Sequence, residues 1–116
     1  MSAGLSTHVL DTAEGRPASG VEVTLERRGD AVGSWRLVAA AVTGADGRVA
    51  ALLPGGAALE ATSYRLTFAV GAYLASSGRA AFFPEVAVVV AIADPDAHHH
   101  IPLLLSPFGY TTYRGG

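Results

Sequence analysis

Val86-Ala-Val-Val-Val-Ala-Ile92, a turn at Asp94-Pro95-Asp96, the run His98-His-His-Ile-Pro-Leu-Leu-Leu-Ser106 and a second turn at Pro107-Phe108-Gly109 before Tyr110 to Arg114 decide the fold class. β-Branched and aromatic residues fill the runs, and Gly, Pro and Asp punctuate them, which predicts three consecutive short strands. The same grammar extends upstream. Leu5 to Asp11 reads as a first strand, followed by a turn through Glu14, Gly15, Arg16 and Pro17. Val21 to Glu26 alternates apolar and polar residues as a strand with one wet face does. Trp35 to Thr43 and Tyr64 to Val70 supply two more strands, the former ended by Gly44-Ala45-Asp46-Gly47 with Arg48 just past the turn. No 11-residue window keeps helical spacing. The one short helix is expected within Gly71 to Gly78, where Ala and Leu are bracketed by glycines. Seven or eight such strands in one all-β unit fit a β-sandwich, with residues 1–116 as a single domain.

The chain has 116 residues, half of them apolar, which excludes disorder but permits only a modest core because much of that content is alanine. Charged residues make up 16%, against about 25% in typical soluble domains. So thinly charged a surface implies burial of some of it in an oligomer. Eight arginines and no lysine against ten carboxylates give a net charge of −2 with no basic cluster, so nucleic acid is not an expected partner. The absence of cysteine rules out disulfides, thiolate zinc sites and a Cys nucleophile. The N-terminal residues lack the basic-then-apolar pattern of a secretory signal, and the run Val86 to Ala93 is far short of the roughly 20 residues that span a bilayer. A soluble, cytoplasmic protein with no membrane contact is the expectation.

Histidine is the side chain best suited to proton transfer near neutral pH, and the sequence has four. In a strand His98 and His100 share one face and His99 takes the other, so at most two of the trio serve one site. One reading brings one of them to His8 across a cleft; others are a polar strand start at a loop exit, or adventitious metal binding by adjacent imidazoles. His8 sits in an otherwise apolar strand, where a satisfied structural histidine is equally compatible. Arg48 is either a solvated surface arginine or a planar donor set for a carbonyl-rich or anionic substrate, which would also hold a nearby imidazole neutral. Tyr73, Trp35 and the Phe82-Phe83-Pro84-Glu85 corner read as core or interface. The last residues, Tyr110 to Gly116, carry no polar tail, and either fray or pack back on the protein.

The order of these pieces resembles the transthyretin-like 5-hydroxyisourate hydrolases. The resemblance rests on Leu5-Ser6-Thr7-His8-Val9-Leu10-Asp11, Gly15-x-Pro17-Ala18, Asp46-Gly47-Arg48, Phe82-Phe83-Pro84-Glu85-Val86, His98-x-His100-Ile101-Pro102-Leu103-Leu104, and Tyr113-Arg114-Gly115. It runs over essentially the whole chain, and the His-x-His segment and the Tyr-Arg-Gly ending are its specific motifs. It implies a transthyretin-like β-sandwich, assembled as a homotetramer, a dimer of dimers. It also implies hydrolysis of 5-hydroxyisourate, a product of urate oxidation, without cofactor or metal. Residue by residue, it implies catalytic roles for His8, Arg48 and His100, and substrate binding by His98, Tyr113, Arg114 and Gly115. Two positions depart from the family pattern. His99 stands where an aromatic residue is usual and is read as facing away from the site; Gly116 stands where the ending is usually serine.

On that resemblance, His8 or His100 takes a proton from the attacking water, Arg48 or Arg114 stabilises the oxyanion, and the other histidine orients or protonates the leaving nitrogen. Which histidine is the base stays open. Because one fold hosts many functions, a small-molecule carrier of the transthyretin type and a non-catalytic interaction sandwich remain alternatives.

Overall fold

Period-two burial sorts each strand into a core side and an outer side. The computed structural model describes residues 4–115. Its first strand, β1 (Gly4–Asp11), buries Leu5, Thr7, Val9 and Asp11 and turns Gly4, Ser6, His8 and Leu10 the other way. There follow β2 (Arg16–Pro17), β3 (Glu22–Arg28), β4 (Trp35–Val42), β5 (Arg48–Val49), β6 (Ser63–Phe68), α1 (Val70–Ala75), β7 (Val86–Ala91), β8 (His98–Ser106) and β9 (Gly109–Thr112). One sheet runs β2-β1-β8-β9, with β5 also paired to β1; the other runs β4-β3-β6-β7. This is the β-sandwich with one short helix that the alternation implies, with β2 and β5 as additions of two residues each. Among the described residues no helix is long and apolar enough to cross a membrane.

The two sheets meet through one continuous core. Leu5, Val9, Leu103 and Leu105 from the first sheet face Leu25, Tyr64, Leu66 and Phe68 from the second, and all are essentially inaccessible. Each such Leu or Phe contributes about 1.5–3 kcal/mol by leaving water. Trp35 lies outside that core, on the second sheet, with the guanidinium groups of Arg28 and Arg65 at 5.1 and 4.7 Å from its ring centroid. The Phe82-Phe83 corner stacks edge-on internally and against Tyr110 of β9, with centroids 4.9 and 5.2 Å apart.

Among the described residues the pairing of β1 with β8 is the one parallel pairing, with Gly4 level with His98, Ser6 with His100 and His8 with Pro102. On the other side of β8, β9 pairs antiparallel from Leu103–Thr112 to Ser106–Gly109. Pro102 has no N–H to give, so the ladder breaks opposite it and resumes as a single bridge between His100 and Gly115. The last described residues therefore lie along β8 and do not fray.

The helix starts one residue earlier than the glycine bracket suggests and stops at Ala75. Gly71 is inside it, because its N–H bonds the Pro84 carbonyl at 2.8 Å and a Cβ there would come within 2.6 Å of the same oxygen. Val70 and Leu74, one turn apart, are its buried side. It is fastened to the first sheet by Asp11, which is 2% exposed and accepts hydrogen bonds from the Tyr73 hydroxyl and from Arg79, both at 2.8 Å. Burial pushes the Asp11 carboxyl up, but the bonds from Arg79, Tyr73 and the Glu14 N–H outweigh it and hold the group below its usual range. A depressed carboxylate stabilises the fold above its unfolded pKa and ceases to as pH falls through its folded one. Asp11→Asn should therefore lower stability at pH 7 by about 2 kcal/mol, read from urea unfolding, with the difference shrinking in acid. Equal urea midpoints at pH 7 would show that this carboxylate does not fasten the helix.

Candidate active site

The outer face of the first sheet gathers the candidate site residues, because three strands present polar side chains there at matching heights. β1 contributes Ser6 and His8, and β8 contributes His98 and His100. β5 contributes Arg48, directly opposite His8 in an antiparallel pair. Across the sheet this makes three rows: Gly4 with His98, then Ser6 with His100 and Gly115, then Arg48 with His8 and Pro102. With strands about 4.8 Å apart, neighbours within and between rows lie within reach of one small molecule.

Arg48 is placed by its turn. The Gly47 N–H bonds the Gly44 carbonyl at 2.9 Å, the Gly44 N–H bonds the Arg48 carbonyl at 3.0 Å, and the Arg48 N–H bonds Asp46 Oδ1 at 3.0 Å. Gly47 has φ +77° and its carbonyl accepts from the Val9 N–H at 2.8 Å, which staples the turn beside His8. A side chain at Gly47 would run into the Val9 carbonyl. The guanidinium itself is 53% exposed and only loosely paired with Asp46, at 3.9 Å, so its donors are available.

His8 is half-buried, and its Nε2 is buried without a hydrogen-bond partner among the described residues. An unpaired buried nitrogen costs about 1–3 kcal/mol, a penalty that a bound polar ligand would remove. His100 is also half-buried. Burial pushes its pKa below the ordinary 6.5, and the nearby charges of Arg48, His8 and His98 push it the same way. A neutral imidazole at neutral pH is the state of a general base.

Ser6, 7% exposed, sits between the two histidines of β8: its Oγ is 2.8 Å from His98 Nε2 and 2.7 Å from His100 Nδ1. Reading the sequence for chemistry passes over this serine. Period-two alternation puts it on the His8 face, but only the strand order reveals that His98 and His100 flank it. His99 lies on the interior side, 6% exposed, its Nδ1 2.9 Å from the Ala97 carbonyl. Among the described residues no three His, Asp or Glu side chains are arranged to hold a metal ion.

The tail divides. Gly115 packs flat on His100, its N–H bonding the His100 carbonyl at 2.7 Å, and a Cβ there would lie 2.8 Å from ring carbon Cδ2. Tyr113 and Arg114 instead border a cavity of about 320 Å³ between β7 and β8, whose other walls include Val88, Val90, His99 and Ile101. Among the described residues the structure thus gathers His8, Arg48, His98, His100 and Gly115 on one face and leaves Tyr113 and Arg114 at that cavity on the other side of β8. Gly116 lies outside the described residues.

Residues 5–115 match the HIUase/Transthyretin family model. The chain belongs to the HIUase/transthyretin family. It is 47% identical to 5-hydroxyisourate hydrolase 2 of Rhizobium meliloti, covering 98% of this chain and 97% of the relative. It is 44% identical to the 5-hydroxyisourate hydrolase of Caulobacter vibrioides, covering 97% of each. Among solved structures, Klebsiella pneumoniae 5-hydroxyisourate hydrolase superposes with TM-score 0.85 at 40% identity over all of both chains. Sea bream transthyretin in complex with thyroxine superposes with TM-score 0.87 at 33% identity, over 97% of this chain and 95% of that one. The transthyretin-like resemblance of the sequence motifs and the β-sandwich are thereby established.

The cation beside His100 can be tested directly. Arg48→Met leaves the burial in place but removes a charge that disfavours imidazolium, so the His100 pKa, followed by NMR titration, should rise part of the way to 6.5. An unchanged titration would place Arg48 too far away to act on His100.

Proposed function

We propose that this chain hydrolyses 5-hydroxyisourate, opening its cyclic amide to give 2-oxo-4-hydroxy-4-carboxy-5-ureidoimidazoline. The observation that carries this reading is His100, half-buried and held neutral, on one sheet face with His8 and the exposed donors of Arg48. Neither transthyretin nor the hydrolases differ enough in backbone to decide between them, since both superpose equally well. Side-chain chemistry supports the hydrolase: a carrier of apolar ligands has no use for a buried imidazole nitrogen that lacks a partner among the described residues and lies on the strand position opposite Arg48.

In the proposed reaction one imidazole, His8 or His100, accepts a proton from water as its oxygen adds to the ring carbonyl carbon. Arg48 donates hydrogen bonds to the oxyanion that forms, and the other imidazole protonates the nitrogen as the C–N bond breaks. No cofactor or metal takes part. His98 and Gly115 share the face and are proposed to bind substrate; Tyr113 and Arg114, the other proposed binding residues, would reach it over the tail.

The working unit is proposed to be a homotetramer, a dimer of dimers. The 16% charge content supports an assembled state, and so do the exposed apolar residues on and beside β7 and β9, among them Val89, Phe108 and Tyr113 at 55%, 81% and 55% exposure.

The test is ultraviolet absorbance of 5-hydroxyisourate generated from urate by urate oxidase. Added protein should accelerate its decay, and His100→Ala should cut the rate by about 10²- to 10⁴-fold. Decay at the uncatalysed rate, combined with stoichiometric binding of thyroxine, would make the protein a carrier. Gly115→Ala pushes on the His100 ring and should lower kcat by up to about 10²-fold, since small misplacements of a catalytic group are that costly. Full activity of that variant would show that the ring has room to move.

A further inference from the structure

Ser6 sits where one hydroxyl must serve two imidazoles. A serine has one proton to give and two lone pairs to accept with, so its bonds to His98 Nε2 and His100 Nδ1 cannot be set independently. When Ser6 donates to His98, it accepts from His100 Nδ1–H, and a neutral His100 then has a bare Nε2. When Ser6 donates to His100 Nδ1, it accepts from His98 Nε2–H, and a neutral His100 carries its proton on Nε2. Protonated His98 has donors at both nitrogens and allows only the second arrangement. Protonating His98 therefore forces a neutral His100 to carry its proton on Nε2, whereas neutral His98 also allows the arrangement in which that nitrogen accepts.

The two histidines differ in their access to water. His98 is exposed at the start of β8, whereas His100 is half-buried beneath Gly115. Among the described residues, the charged and titratable groups that act on His100 are Arg48 from β5, His8 from β1 and His98 from its own strand, and Gly115 lays its backbone against the ring. Positive charge is thus least welcome on His100 and best solvated on His98.

We propose that Ser6 is a positioning residue that relays protons between His100 and His98, so that the charge gained by the working base appears on the exposed imidazole. This deepens, and rests on, the hydrolase reading with His100 as base. In the relay, a water O–H bond breaks as its oxygen bonds the substrate carbonyl carbon, and that proton forms the His100 Nε2–H bond. The proton on His100 Nδ1 moves to Ser6 Oγ, and the original Ser6 proton moves to His98 Nε2. No oxidant, reductant or further reactant is needed. His98, then an imidazolium, releases its proton to solvent, while the other imidazole, His8, protonates the leaving nitrogen as the C–N bond breaks.

Two measurements test this. Nitrogen-15 NMR of the unsubstituted protein without substrate reads both histidines directly: the His100 ring nitrogens should change tautomer as His98 titrates, and in Ser6→Ala that response should vanish. In the hydrolysis assay Ser6→Ala should lose on the order of 10-fold in kcat, part of what a positioned base supplies, with KM little changed. The acid limb of its pH profile should also move, and Ser6→Thr, which keeps the hydroxyl, should restore both. Independent titration of His98 and His100 overturns the relay whatever the activity, as does an unaltered kcat and pH profile in Ser6→Ala. Linked titration in a protein that fails to turn over 5-hydroxyisourate would uphold the linkage and overturn the hydrolase reading instead.

Discussion

Parallel pairing of β1 with β8 is the constraint on which the rest depends. It joins residues 94 positions apart, Ser6 and His100, in one row, and every other member of the site is placed relative to it. The core holds the register: Leu5, Val9, Leu103 and Leu105 are buried, and the Thr7 hydroxyl bonds the Ile101 carbonyl at 2.5 Å. A slip of one residue would turn Ser6 and His8 into the apolar layer and bring Leu5, Thr7 and Val9 out. The packing that stabilises the sandwich is thus also what aligns the site.

Charge is arranged sparingly around that alignment. Asp11, the residue of β1 three places past His8, uses its buried carboxylate to tie α1 to the sheet through Tyr73 and Arg79. On the opposite side of the strand, polar groups stay only partly paired. Arg48 is mostly exposed, and His8 Nε2 has no hydrogen-bond partner among the described residues. Fully satisfied groups stiffen a fold, while unsatisfied ones are available to a ligand.

Much of the architecture is legible in the residues because alternation is a local property. Val21 to Glu26 and Tyr64 to Val70 both announce strands, and the structure shifts their ends by only a residue or two. The helix limits are less legible: Gly71 looks like a bracket but is a contact point, since Pro84 approaches it from a distant loop. The motifs pointed to His8, Arg48 and His100, and their common face follows from strand parity once the pairing is known. The partners of Ser6 and the packing of Gly115 on His100 are not legible there, because each depends on a neighbour on another strand.

By itself the sequence determined an all-β chain, short of charge and free of cysteine, whose motifs place it in its family. It also determined that His98 and His100 must share a face that His99 cannot. Those are consequences of composition and of the two-residue repeat of an extended backbone. Tertiary structure alone decided which strand lies beside which. That choice put Ser6 between two imidazoles, Arg48 across from His8, and Arg114 beside a cavity on the other side of β8. The physical reason is that strand order and register come from burying both sheet faces together, a sum over residues far apart in the chain that no local pattern contains.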